Sequence, residues 1–325
     1  VASFHLNGLY APWRRWVEIV QEFLDAKDDP EKLQVFVNTT LGESWEELLE
    51  RMDAAGLAAR AETYPAEVPA PVGILTGFVD VQGDRLELAI RGWGPDQESW
   101  LITHERLYGD PTKSEVWNRL DTFLEKSWQH ELGGLLKLRL LLIDSGYLTE
   151  QVYAYVRPRQ RRGVHATKGV DGAGRPLVGR PGKPNRFNVR VFPIGVHTAK
   201  DLLFRRLRIP ASGPGYLHFC RPTSTGADGE YFAQFEAERK VRRRVHGIWT
   251  SQYVQQRDRN EAIDLEVGNL AALYLMGPAI YDHLERWVPK RGEAGAPTPP
   301  PEPARAAVHR SQTGKLARRG WVGRY

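Results

Sequence analysis

Three aspartates stand where an unpaired charge is expensive. Asp80 interrupts the apolar run Gly77-Phe78-Val79-Asp80-Val81, Asp144 closes the aliphatic run of residues 140–143, and Asp264 ends Asn260-Glu261-Ala262-Ile263-Asp264. A lone buried carboxylate is tolerated only where a cation or strong donors compensate it. One acid inside a first strand, one at the carboxyl end of a later strand and one on a late helix can together hold two divalent ions. Such ions, roughly 4 Å apart, activate a water and stabilise the leaving oxygen of a phosphodiester. Oxygen ligands suit Mg2+ or Mn2+. Taken singly, two of the acids have plainer readings. Asp144-Ser145-Gly146 is equally a turn, and Asp264 is equally a partner for a neighbouring arginine, whereas no turn chemistry accounts for Asp80. Glu261 is either a further ligand or an exposed partner for Arg257, and Asp84 belongs to a turn.

The elements that must position these acids are legible as periodicities. Strands are predicted over residues 72–82, 85–93 and 99–107, an antiparallel meander with a hairpin at Gly83-Asp84, and in the second of them Leu86, Leu88 and Ile90 alternate with Arg85, Glu87 and Arg91. A helix capped by Ser114 follows, its face formed by Val116, Trp117, Leu120, Phe123 and Leu124. Then come a strand at 138–143, a short helix at 149–156 and a strand at 164–167. Residues 169–188 read as a long basic loop, and 231–245 as a helix or strand with a basic end. Residues 259–276 form a helix stopped by Gly277-Pro278. On it Asn260, Asp264, Gly268 and Ala271 make a stripe of short side chains that lets a sheet approach closely. Upstream, Trp13, Trp16, Val17, Ile19, Val20, Phe23 and Leu24 mark an amphipathic helix, and a second helix starts at Ser44. Pro65, Pro69 and Pro71 mark a linker between two folded parts.

The net charge of +5 over 325 residues hides three regimes. Residues 1–70 hold 6 basic and 13 acidic side chains, residues 157–190 hold 10 basic and one acidic, and residues 289–325 hold 8 basic and 2 acidic. Clustered cations of this kind gain affinity for a polyanion by releasing counterions from phosphates, and are otherwise a solvated surface. Lys168, Arg161, Arg162, Arg175, Arg180, Lys183 and Arg186 are the candidate phosphate contacts, with Arg242, Arg243 and Arg244 a second cluster. Six prolines in residues 289–303 and the basic close predict a disordered tail. No apolar run is long enough for a membrane span, and the single cysteine, Cys220, fits a reducing compartment. The segment from Gly179 to Lys183 has Pro184 where a phosphate loop needs a hydroxyl, so no complete ATP site of that kind is expected. There is no His-Glu-x-x-His and no Gly-x-Ser-x-Gly, and the nine histidines show no zinc spacing.

The motifs Gly77-Phe78-Val79-Asp80-Val81-Gln82, Gly92-Trp93-Gly94, Ile143-Asp144-Ser145-Gly146, His197-Thr198-Ala199-Lys200-Asp201, Gly215-Tyr216-Leu217-His218-Phe219 and Arg259-Asn260-Glu261-Ala262-Ile263-Asp264 occur in this order. With Phe36-Val37-Asn38-Thr39-Thr40-Leu41-Gly42-Glu43, the chain resembles the large terminase subunit of the lambda-type phage family, a DNA-packaging motor. The resemblance implies an α/β fold, a ribonuclease-H-like mixed sheet flanked by helices. It also implies that the chain, which starts at Val1, is the later part of a longer protein. Residues 1–66 would be the end of an ATPase domain and its linker, 67–288 the nuclease, and 289–325 a tail that docks on the portal protein of the prohead. Asp80, Asp144 and Asp264 would be the catalytic acids, holding two Mg2+ or Mn2+ ions and cutting concatemeric double-stranded DNA at genome ends in the host cytoplasm. Sequence choice would come from the small terminase subunit. The same acids on the same fold would equally serve a recombinase or Holliday-junction resolvase, and a non-catalytic portal-docking module is the remaining alternative.

Overall fold

A computed structural model describes residues 6–27, 30–43, 46–50, 52–172, 174–221, 226–245 and 248–290. The helices are α1 (Trp16–Ala26), α2 (Pro30–Thr39), α3 (Ala54–Ala59), α4 (Ser114–Glu125), α5 (Thr149–Val156), α6 (Val196–Leu207), α7 (Gly229–Ala233), α8 (Glu261–Leu275) and α9 (Pro278–Tyr281). The strands are β1 (Glu46–Glu50), β2 (Ile74–Val81), β3 (Arg85–Trp93), β4 (Ser99–Tyr108), β5 (Ser127–Gln129), β6 (Leu135–Asp144), β7 (Val164–Val170), β8 (Val191–Gly195), β9 (Leu217–His218), β10 (Glu238–Val245) and β11 (Ile248–Gln255). The tail predicted to be disordered lies largely outside the described residues, as does Ser44.

The main sheet runs β8-β7-β6-β2-β3-β4-β9, with β5 beside β6. β2, β3 and β4 form the antiparallel meander, while β6, β7 and β8 run parallel to β2. A meander of three strands continued by parallel strands on the side of the first is the ribonuclease-H-like order, so the expected mixed sheet is present.

Both faces of β2 are buried, and alternation along the strand sorts its residues between two cores. Ile74 and Phe78 pack with α6 and α8, whereas Leu75 and Val79 pack with Val116, Trp117 and Leu120 of α4 and Val152 and Val156 of α5. On β6, Leu140 and Leu142 join the α8 core and Leu141 and Ile143 the other. Asp80 and Asp144 therefore continue the rows that face α8.

α8 is buried on nearly every side. A Cβ on Gly268 would overlap Cδ2 and Cγ of Phe78, so glycine is what permits the helix to lie on β2. Thr76 Oγ1 donates to Asn269 Oδ1 at 2.9 Å, and Arg91 Nη2 of β3 donates to Glu266 Oε1 at 2.8 Å, fixing the helix along its length. Gly277, at φ 87°, ends the run before Pro278, as expected.

Several expectations change. Residues 46–50 form a strand paired antiparallel with β10 rather than a helix, with Glu46 opposite Arg243, Glu47 opposite Arg242 and Glu50 opposite Lys240 in backbone register. The proline-rich linker is tied into the fold: Glu62 N–H donates to Phe219 O at 2.9 Å, Val68 N–H to Gln129 O at 3.1 Å, and Val68 is fully buried. In α1 only Ile19 and Ala26 are buried, while Trp13, Trp16 and Val17 are exposed. Lys113, not Ser114, is the cap of α4. The basic loop contains no continuation of β7 beyond Val170, and β8 and α6 follow it where no element was foreseen.

Gly268→Ala should lower stability by about 2 kcal/mol despite alanine's better helix propensity, because overpacking costs more than the propensity gain. Chemical denaturation checks this, with Phe78→Leu expected to restore much of the loss in the double variant. An unchanged unfolding midpoint for Gly268→Ala would remove the close contact as the determinant of helix position.

Candidate active site

Parallel pairing brings the first two acids together. Phe78 lies opposite Leu142 and Val79 opposite Ile143. One step further along the same register puts Asp80 beside Asp144 on neighbouring strands, whose usual spacing is about 4.8 Å. Both line an open cleft of about 440 Å³ together with Val81, Gln82, Gly83, Gly146 and Tyr147. Asp264 reaches the same region from the first turn of α8, one turn before Gly268. Its side chain is 42% exposed, against 8% for the whole of Asp80.

The contrast between Asp80 and its neighbour Glu87 defines the electrostatics. The two are direct cross-strand partners on one face. Burial alone would raise Glu87, but His104 at 3.0 Å, Arg106 at 3.3 Å and Arg85 at 3.2 Å outweigh it and hold that carboxyl below its ordinary value. Asp80 has no ion pair among the described residues and accepts a hydrogen bond from Gln82 Nε2. Burial first, then repulsion from Asp264, Asp144 and Glu261, pushes Asp80 up to about 7. Asp264 is raised as well, by desolvation of its carboxyl and by the nearby carboxylates Glu238, Asp144 and Glu261, against the pull of Lys200. Asp144 is raised by burial, opposed by the N–H groups of Gly146 and Ser145 and by Lys168. Gly146 N–H donates to Asp144 Oδ2 at 3.0 Å, so this aspartate forms the turn and faces the cleft at once.

Oxygen-only donors, mutually repelling and lacking a compensating cation at Asp80, suit a hard divalent ion. Among the described residues no three His, Cys, Asp or Glu side chains close into a cage for a single ion.

The basic candidates do not gather as one group. Lys168 is exposed on β7, just past the pairing of Thr167 with Asp144, and Arg175 sits near Gly195 and Thr198, at the same carboxyl end of the parallel strands. Arg161 and Arg162 precede β7 and lie at its opposite, amino end. Arg180 and Lys183 are exposed beyond Gly179, which bonds to Pro193, and Arg186 is paired with Glu150 of α5. Glu261 is neither free nor a partner of Arg257: it is buried and binds Arg85 at 2.9 Å. Asp264 pairs with a lysine, Lys200 at 3.9 Å, instead of an arginine. Gln82 and Tyr147 were not foreseen, although Gln82 follows Asp80 at the strand spacing that shares a face.

The strand order defines a ribonuclease-H-like mixed sheet flanked by helices. The family model for the terminase large subunit gpA endonuclease domain matches residues 1–287, and the chain belongs to that family. The large terminase subunit of Escherichia phage lambda is 34% identical over 279 residues, covering 83% of this chain and 43% of that protein. The corresponding subunit of Enterobacteria phage P21 is 32% identical over 280 residues, with the same coverage. The chain thus spans less than half the length of these curated relatives. The large terminase of bacteriophage HK97, a crystal structure, covers 81% of this chain and 51% of that one at 12% identity with a TM-score of 0.37, too distant a likeness to argue from. No helix among the described residues is long and apolar enough to cross a membrane.

Because Asp80 titrates higher when folded than when unfolded, the stability that its neutral form allows is complete below about pH 4 and lost as pH rises through about 7. Asp80→Asn should therefore stabilise the metal-free protein by about 3 kcal/mol at pH 8, with the gain vanishing near pH 4. Denaturant titrations at the two pH values measure it, and an equal effect at both would contradict the assigned cause.

Proposed function

We propose that this chain is a divalent-metal-dependent DNA endonuclease that hydrolyses phosphodiesters with two metal ions, cutting concatemeric viral DNA at genome ends during packaging. The observation that carries the reading is Asp80, a buried carboxylate left without a cation among the described residues, on the face where adjacent Glu87 is paired with Arg85, Arg106 and Arg259 and bonded to His104. Asp80, Asp144 and Asp264 are the residues that would hold the two ions. Mg2+ or Mn2+, when bound, would supply a nucleophilic water at neutral pH and charge stabilisation at the leaving oxygen. The protein's own part is to orient and to hold. Gln82 fixes one oxygen of Asp80, the Gly146 N–H turns Asp144 toward the cleft, and α8 carries Asp264 to the rim. Exposed Lys168 and Arg175 would receive the duplex backbone at the same rim. Family membership supports double-stranded DNA as substrate, and the small terminase subunit and the prohead portal as partners of the whole protein.

Linear duplex incubated with Mn2+ or Mg2+ should be cut, EDTA should abolish cutting, and Asp80→Asn or Asp144→Asn should slow it by on the order of 1000-fold, the scale of lost transition-state electrostatics. Full activity in excess EDTA would refute the metal reading. Duplex binding over a salt series should separate the basic residues. Lys168→Ala and Arg175→Ala should each reduce the salt slope by about 1, with a smaller change for Arg161→Ala or Arg162→Ala.

A further inference from the structure

The His197-Thr198-Ala199-Lys200-Asp201 segment has no role in the reading above. It occupies the first half of α6, where Lys200 is buried to 8% side-chain exposure. Its Nζ donates to both oxygens of Glu238, each at 2.6 Å, and Glu238 itself is 5% exposed at the start of β10. Glu238 Oε1 also accepts from Asn260 Nδ2 at 2.8 Å, and Asn260 is the cap residue of α8. An ammonium has three hydrogens, and Asp264 Oδ1 lies 3.9 Å from Nζ. The next residue, Asp201, accepts from Lys240 Nζ at 2.6 Å and from the Tyr253 hydroxyl at 2.7 Å, so α6 also clamps the β10–β11 hairpin from which Glu238 comes.

A buried lysine–glutamate pair contributes little net stability, and an apolar pair of similar size often does as well. What distinguishes this pair is its place. Both members meet the first turn of α8, the turn from which Asp264 projects, and the ammonium sits behind that carboxylate on the side of α6. We propose that Lys200 is a positioning residue: held by Glu238, its ammonium fixes the Asp264 carboxylate in the orientation that receives a divalent ion. Outer-shell partners of metal-binding carboxylates act in this way, and their loss commonly costs 10- to 100-fold in affinity. The inference rests on the metal-dependent reading above.

Lys200→Met alone leaves Glu238 buried without a cation and endangers the fold. The double variant Lys200→Met/Glu238→Gln removes both charges, leaves the net charge of the site unchanged and keeps an amide oxygen for Asn260. Mn2+ binding to the full chain, followed by electron paramagnetic resonance and calorimetry, should weaken about tenfold in the double variant. In cleavage assays the Mn2+ concentration for half-maximal rate should rise in parallel, with KM for DNA unchanged and kcat recovering at saturating Mn2+. A role in packing alone would lower Tm and leave Mn2+ affinity at the wild-type level, and that result overturns the proposal. Asp80→Asn separates the two readings. If Asp80→Asn loses Mn2+ while the double variant keeps wild-type affinity, only the role of Lys200 fails. If the wild type binds no Mn2+, or Asp80→Asn binds it equally well, the metal reading fails and the role of Lys200 with it.

Discussion

Everything at the carboxylate cleft depends on how closely α8 lies on β2. The missing side chain of Gly268 lets the helix backbone rest on the Phe78 ring, and Thr76–Asn269 and Arg91–Glu266 hold it there. Two residues along β2 from Phe78 is Asp80, and one helical turn before Gly268 is Asp264. The same contact that closes the core thus sets how far apart two of the three acids stand. Close packing of this kind transmits small changes without damping, since an interior at crystal-like density has little room to absorb them.

The face of the sheet under α8 is unusually charged for a core. Arg91 and Glu266 pair in full burial, and Glu87 is saturated by arginines and a histidine. Those groups satisfy one another and serve the fold. Asp80 and Asp264 are held instead at raised proton affinity, a condition the fold bears at a cost in stability. Such a division, between charges that are closed among themselves and charges left open at the edge of a cleft, is what separates a structural network from a binding site.

Much of this was legible from residue types alone. Asp80 stood out because it breaks an apolar strand, and Gly268 because it belongs to a stripe of short side chains. The alternation of β3 was also plain, and the row of Glu87 and Arg91 proves as buried as the apolar one. Period-two patterning reports which face a residue is on and says nothing of what covers that face. For the same reason Trp13, Trp16 and Val17 read as an amphipathic stripe although they are exposed. Lys200 sits in a motif whose spacing gives it no role, since its partner Glu238 lies on a distant strand and only the fold brings them together. The strand β1 was read as a helix because its partner β10 follows it by nearly two hundred residues, out of reach of any local signal.

The meander that carries Asp80 precedes α8 by more than 150 residues, so α8, with Asp264, leaves the ribosome well after the strands it packs on. Domains acquire long-range contacts only when the later segment is available. Until α8 arrives, the Phe78 row of β2 is covered only in part, by α6, and Asp264 is absent from beside Asp80. A nascent chain therefore holds two of the acids before the third, and the helix that brings Asp264 is also the one that closes the core over β2.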